Sequence, residues 1–141
     1  GDAVNAKIKV EPFEPQEINQ SVILIHRRID AYRVDIGDRL TLEYQIENYN
    51  NGPVEIILGA SLISPSRQIV NSSKDDLRVT AIPGSHTYKR SFQIRSDTRP
   101  GLYDIVWGVM DIEMKSYYSL FKDPKVLHIG SSEREETVIA E

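Results

Sequence analysis

The residues best suited to metal binding or general acid–base work are the three histidines, His26, His86 and His128. They fall in three separate segments, with no pair at the i,i+2 or i,i+4 spacing that would aim two imidazoles at one ion. There is no cysteine, which removes thiolate nucleophiles and thiolate metal sites. No serine stands in a Gly-x-Ser-x-Gly turn, and no glycine-rich phosphate loop is present. Two groups of acids, Asp35-Ile36-Gly37-Asp38 and Lys74-Asp75-Asp76, have the composition for acid–base chemistry or calcium binding. Both sit in turn contexts, where aspartate ordinarily caps backbone donors. Asp104 and Asp111 flank an apolar run and are weaker candidates still. The expectation is a chain with no catalytic residue, no cofactor and no metal.

Aromatic residues offer a different chemistry, a stacking platform for sugar rings. Tyr117 and Tyr118, together with Tyr49, are the tyrosines whose positions suggest exposure. Trp107 is a poorer candidate, because Ile105 and Val109 at i±2 put it on a core face. Tyr103 follows Pro100-Gly101, and there a tyrosine is expected to bond the backbone at a corner.

The elements that must position these residues are set by regular punctuation. Turn chemistry recurs at Ile36-Gly37-Asp38, Asn50-Asn51-Gly52-Pro53, Ser64-Pro65-Ser66, Asn71-Ser72-Ser73, Pro83-Gly84-Ser85, Arg99-Pro100-Gly101 and Lys122-Asp123-Pro124. Between the turns the side chains alternate. Leu40, Leu42, Tyr44 and Ile46 share one face of a strand over residues 39–48. The segment 53–63 is apolar on both faces, which predicts a central strand covered on both sides. Residues 86–94 place Tyr88, Phe92 and Ile94 together, with Arg90 as the exception on that face. Residues 102–110 align Tyr103, Ile105, Trp107 and Val109. Residues 76–82 form a weaker strand and 125–129 a last short one. Residues 21–34 read as extended, and 111–121 as a long connection or a helical turn.

From Tyr32 to Ile129 the chain resembles immunoglobulin-like sandwiches of the CARDB and fibronectin type III kind. The resemblance rests on Val34-Asp35-Ile36-Gly37-Asp38-Arg39-Leu40-Thr41-Leu42, on Ile46-Glu47-Asn48, and on Pro100-Gly101-Leu102-Tyr103-Asp104-Ile105. It implies an all-β, immunoglobulin-like antiparallel sandwich of seven to nine strands, used for binding or spacing. The antibody subclass is excluded, since it needs an inter-sheet disulfide and a tryptophan on the third strand.

In that topology the third, penultimate and last strands are neighbours. Their second faces then combine Ile57, Ile63, Val106, Met110, Val126 and His128 with Gly59, Ser61 and Gly108 into one apolar, small-residue surface. Monomers rarely leave such a surface open. The expected function is therefore a non-catalytic protein-interaction or accessory module, with a protein partner or a homodimer meeting this sheet face. A carbohydrate-binding module using Tyr49, Tyr117 and Tyr118 is the alternative.

Size and charge fit one domain of this kind. The chain has 141 residues, 40% of them hydrophobic and 27% charged, with net charge −4. Residues 1–20 are expected as an N-terminal segment that adds a strand, 21–130 as the sandwich, and 131–141 as an acidic flexible tail or linker. With 17 basic against 21 acidic residues and no long basic run, the chain lacks the footprint of a nucleic-acid binder. Its apolar runs are too short for membrane insertion.

Overall fold

The computed structural model describes residues 20–71 and 73–130, and these form two sheets packed face to face. The expected opening strand within residues 1–20 and the acidic tail 131–141 lie outside the described residues. Nine strands are present among those described: β1 (Val22–Ile29), β2 (Arg33–Asp35), β3 (Arg39–Asn48), β4 (Val54–Ile63), β5 (Ile69–Asn71), β6 (Leu77–Ala81), β7 (Gly84–Gln93), β8 (Gly101–Asp111) and β9 (Tyr117–Gly130). A 3-10 turn, Ser73–Asp75, precedes β6. The all-β sandwich expected from the turn spacing is what forms.

One sheet has the order β1-β3-β7, and the other β2-β9-β8-β4-β5 with β6 also on β4. Every pairing is antiparallel except β2 with β9, which run parallel. The third long strand, the penultimate and the last are adjacent, in the order β4-β8-β9.

Alternation decides which way each strand faces. Leu40, Leu42, Tyr44 and Ile46 of β3 turn inward against Ile56, Leu58 and Leu62 of β4 and Tyr103, Ile105, Trp107 and Val109 of β8, all buried. Each large apolar side chain so removed from water contributes about 1.5–3 kcal/mol. Trp107 meets Tyr44 edge to face at 5.1 Å between ring centroids. Tyr103 donates its hydroxyl to the Arg99 carbonyl at 2.6 Å, the corner bond expected of it. The outer face of the β1-β3-β7 sheet is polar, with Thr41, Glu43 and Gln45 standing opposite Ser91, Lys89 and Thr87.

Two local expectations change. The connection after β8 is a tight hairpin turn, and β9 runs for fourteen residues rather than five. Asp111 closes that turn: its Oδ1 accepts the Lys115 N–H at 2.9 Å, its Oδ2 accepts the Ser116 hydroxyl at 3.1 Å, and its carbonyl accepts the Met114 N–H. The Lys122-Asp123-Pro124 turn signal is a bulge within β9, where Lys125 takes a left-handed φ of 50°. Asp123 there accepts two bonds from Arg27, at 2.7 and 3.0 Å, and one from the Trp107 indole at 3.0 Å. With Arg27 also 4.5 Å over the Phe121 ring, these contacts tie β1 to β9 across the open side of the sandwich.

Candidate functional site

A groove opens on the outer face of the larger sheet, where β4, β8 and β9 lie side by side. Its lining includes Gly59, Ser61, Val106 and Gly108 along the strands, with Met110, Met114, Tyr117, Leu120 and Asp76 around them. Its free volume is about 530 Å³ including the open mouth. Two glycines face each other across the β4–β8 ladder, Gly59 opposite Gly108. A Cβ on Gly59 would lie 2.9 Å from the Met110 methyl and 3.3 Å from an Asp76 carboxylate oxygen. A Cβ on Gly108 would lie 3.4 Å from the Tyr117 ring. The absence of side chains at both positions is therefore what creates the depression and lets the Tyr117 ring approach the sheet.

The surrounding residues are placed by the neighbouring turns. Asp111 fixes the hairpin that carries Met114, itself left-handed at φ 59°, and delivers Tyr117 as the first residue of β9. The Lys115 N–H, together with the Ser116 hydroxyl, holds the Asp111 carboxyl below its ordinary value. Asp76 enters from the opposite side. β6 pairs with β4 from Val54 to Leu58 and β5 pairs with it from Ser61 to Ile63, so the edge of β4 at Gly59 and Ala60 has no strand from either. At this gap Asp76 lies close to Gly59 and receives Arg90 Nη2 at 2.7 Å on Oδ1.

Arg90 is the exception noted on the apolar face of its strand. Its side chain is fully buried inside the sandwich, and the Asp76 carboxylate supplies its counter-charge. Asp76 is thus not a simple turn cap. Burial raises its carboxyl pKa above the ordinary value, aided by Asp75, while the Arg90 hydrogen bond and charge oppose the rise. Beneath the groove, the Tyr44 hydroxyl donates to the Gly59 carbonyl at 2.7 Å.

Of the residues expected to form an open apolar face, Ile57, Val106 and Met110 do share the outer face of β4 and β8. They leave little to cover, since Ile57 is 6% exposed, Val106 5% and Ile63 2%. Ile57 is flanked by Met110 on β8 and Arg78 on β6, so the chain itself shields it. Val126 is elsewhere: the β9 bulge sets it against the core, beside Arg27, Ile29 and Trp107. His128 is exposed at the β2 side, in contact with Arg33. The three tyrosines also separate. Tyr117 lines the groove, Tyr118 packs against the core, and Tyr49 is exposed in the loop after β3. Asp104 is engaged structurally, accepting the Lys125 N–H at 2.8 Å and Arg67 at 3.0 Å. No cluster of three potential metal ligands occurs among the described residues.

Sequence reasoning missed Asp76 and Met114 as parts of one site. The signal for Asp76 was the lone Arg90 on an apolar strand face, which requires a buried acid somewhere in the chain.

No protein-family model matches the sequence, and no curated protein matches it. Solved structures do match in shape. The C-terminal domain of wzt superposes with a TM-score of 0.63 at 10% identity, over 85% of this chain and 81% of that one. A Niemann-Pick type C2 protein from Japanese carpenter ant gives 0.56 at 10% identity, over 84% of this chain and 98% of that one. The alkylpurine DNA glycosylase AlkC of Pseudomonas fluorescens gives 0.52 at 11% identity, with this chain spanning 31% of its length. What the chain shares with all three is the fold, an all-β sandwich.

Proposed function

We propose that this chain is a non-catalytic binding module that takes a carbohydrate on the outer face of its larger sheet. The groove floored by Gly59 and Gly108 carries the proposal, because it offers one partly exposed tyrosine ring, one carboxylate and one hydroxyl around a small-residue floor. A sugar ring presents apolar C–H faces and equatorial hydroxyls, and it needs that pairing of an aromatic with directional acceptors. Arg90 neutralises Asp76, so the carboxylate contributes acceptors without a net charge. That favours a neutral hydroxyl-bearing ligand over an ammonium ion. Tyr117 is the only member of the expected tyrosine trio that takes part, with Asp76 and Ser61 as its polar counterparts.

A glycan array with the purified chain, followed by titration calorimetry on any hit, tests this reading. Binding that is lost in Tyr117→Ala and Asp76→Asn supports it. An array with no hits removes it.

A protein partner, or a second copy, on the same face is the second reading. It is favoured by the hairpin tip beside the groove, where Met114 is 56% exposed and Ile112 39%. Methionine-rich rims adapt to varied apolar partners. Loss of association in Ile112→Asp with Met114→Asp, and no loss of sugar binding, separates it from the first.

A further inference from the structure

Strand β7 ends the three-stranded sheet, and no strand among the described residues pairs with its outward edge, which runs for ten residues from Gly84 to Gln93. The other open edges are guarded, short or, on β9 before His128, interrupted by bulges. β2 and β5 have three residues each and β6 has five. β1 carries an irregularity after Leu24 and is turned toward β9, with the Leu24 N–H on the Ser119 hydroxyl. β7, by contrast, pairs with β3 from Asn48↔Gly84 to Arg39↔Gln93 without a bulge, and it contains no proline. A long edge of this kind without a bulge is a template for another strand.

We propose that β7 pairs antiparallel with β7 of a second copy, joining two three-stranded sheets into one across a two-fold axis. The strand's own sequence argues for a copy of itself. A two-fold perpendicular to the sheet keeps the core faces on one side, so the two facing positions must share parity. Within Gly84–Gln93 two registers then pair nearly the whole strand, one centred on Tyr88 and one on Lys89. The second sets Lys89 against its own copy, a like-charge contact that destabilises a ladder. The first sets Lys89 opposite Thr87 and Ser85 opposite Ser91, with the Tyr88 rings meeting at the axis. Thr87 and Lys89 are both exposed, so both are available to a partner. The groove lies on the other sheet and stays open in this dimer.

Light scattering after size exclusion, from low to high micromolar concentration, tests the proposal together with two substitutions at Thr87. The wild-type chain is expected to show a rising dimer fraction. Thr87→Lys places a cation opposite Lys89 twice by symmetry and should weaken the dimer roughly tenfold. Thr87→Glu should strengthen it by a few-fold, with melting curves confirming that both variants fold. A wild-type chain that remains monomeric throughout overturns the proposal. So does a dimer whose dissociation constant responds to neither substitution.

Discussion

Arg90 donates from Nη2 to Asp76 Oδ1 at 2.7 Å across the stretch of β4 edge that β5 and β6 leave uncovered. One end of the pair is inside the sandwich, with the Arg90 guanidinium 5.4 Å from the Phe92 ring centroid, and the other lines the outer groove. The pair therefore couples core integrity to the binding surface. Replacing Arg90 by Met leaves a half-buried carboxylate alone, and a loss of about 3 kcal/mol is expected in urea unfolding. Arg90→Met combined with Asp76→Leu should recover most of that loss. Recovery of stability without recovery of ligand binding would identify Asp76 as the groove's working acceptor.

The groove depends on missing side chains. Gly59→Ala puts a methyl 2.9 Å from the Met110 methyl, the far end of a flexible chain that can move aside. The expected outcome is a folded protein whose melting temperature changes little and whose ligand affinity falls at least tenfold. Calorimetry on the same ligand as the parent decides it.

Asp104 gives the protein a definite acid limb. Burial works against its charge, yet the Lys125 N–H, the Arg67 guanidinium and Lys122 together hold its carboxyl below the ordinary 3.8. A group depressed on folding adds stability that is complete above its unfolded pKa and is lost as pH falls through its folded one. Asp104→Asn should therefore cost most at neutral pH, and the gap from the parent should close as the solution is acidified below about pH 4. Asp76 has the opposite sign. Its raised carboxyl favours the folded state when protonated, and that part of the stability declines as pH rises through its folded value. Unfolding free energies of parent and both Asn variants, measured from pH 2.5 to 7, separate the two contributions.

At the β8 corner, Tyr103→Phe removes one hydrogen bond to the Arg99 carbonyl and leaves the ring in place. Arg99 is exposed, so its carbonyl regains water and the expected loss stays near 1 kcal/mol. A loss above about 3 kcal/mol in urea would mean that the corner also holds the Pro100-Gly101 entry to β8.

Much of the architecture was legible from alternation and turn chemistry alone. Strand β3 falls where Leu40, Leu42, Tyr44 and Ile46 alternate, and the adjacency of β4, β8 and β9 follows from the sandwich topology. The Asp111–Ser116 turn was less legible, because its closure rests on one aspartate side chain and a left-handed methionine, for which propensity gives no warning. The bulge at Pro124-Lys125 misled twice. It made the start of β9 look like a loop, and it displaced Val126 from the face that strict alternation assigns to it. For the site, the small residues Gly59, Ser61 and Gly108 were visible as a stripe. Their depth was not, since it depends on where Asp76 and Met114 arrive from distant turns.

The parallel pairing of β2 with β9 has a mechanical meaning. Arg33–Asp35 runs alongside His128–Gly130 in the same direction. Tension applied between the first and last strands pulls these two segments past each other, so their hydrogen bonds resist together in shear instead of opening one by one. This three-residue patch is then the clamp that a stretched molecule must break before β9 can peel from β8.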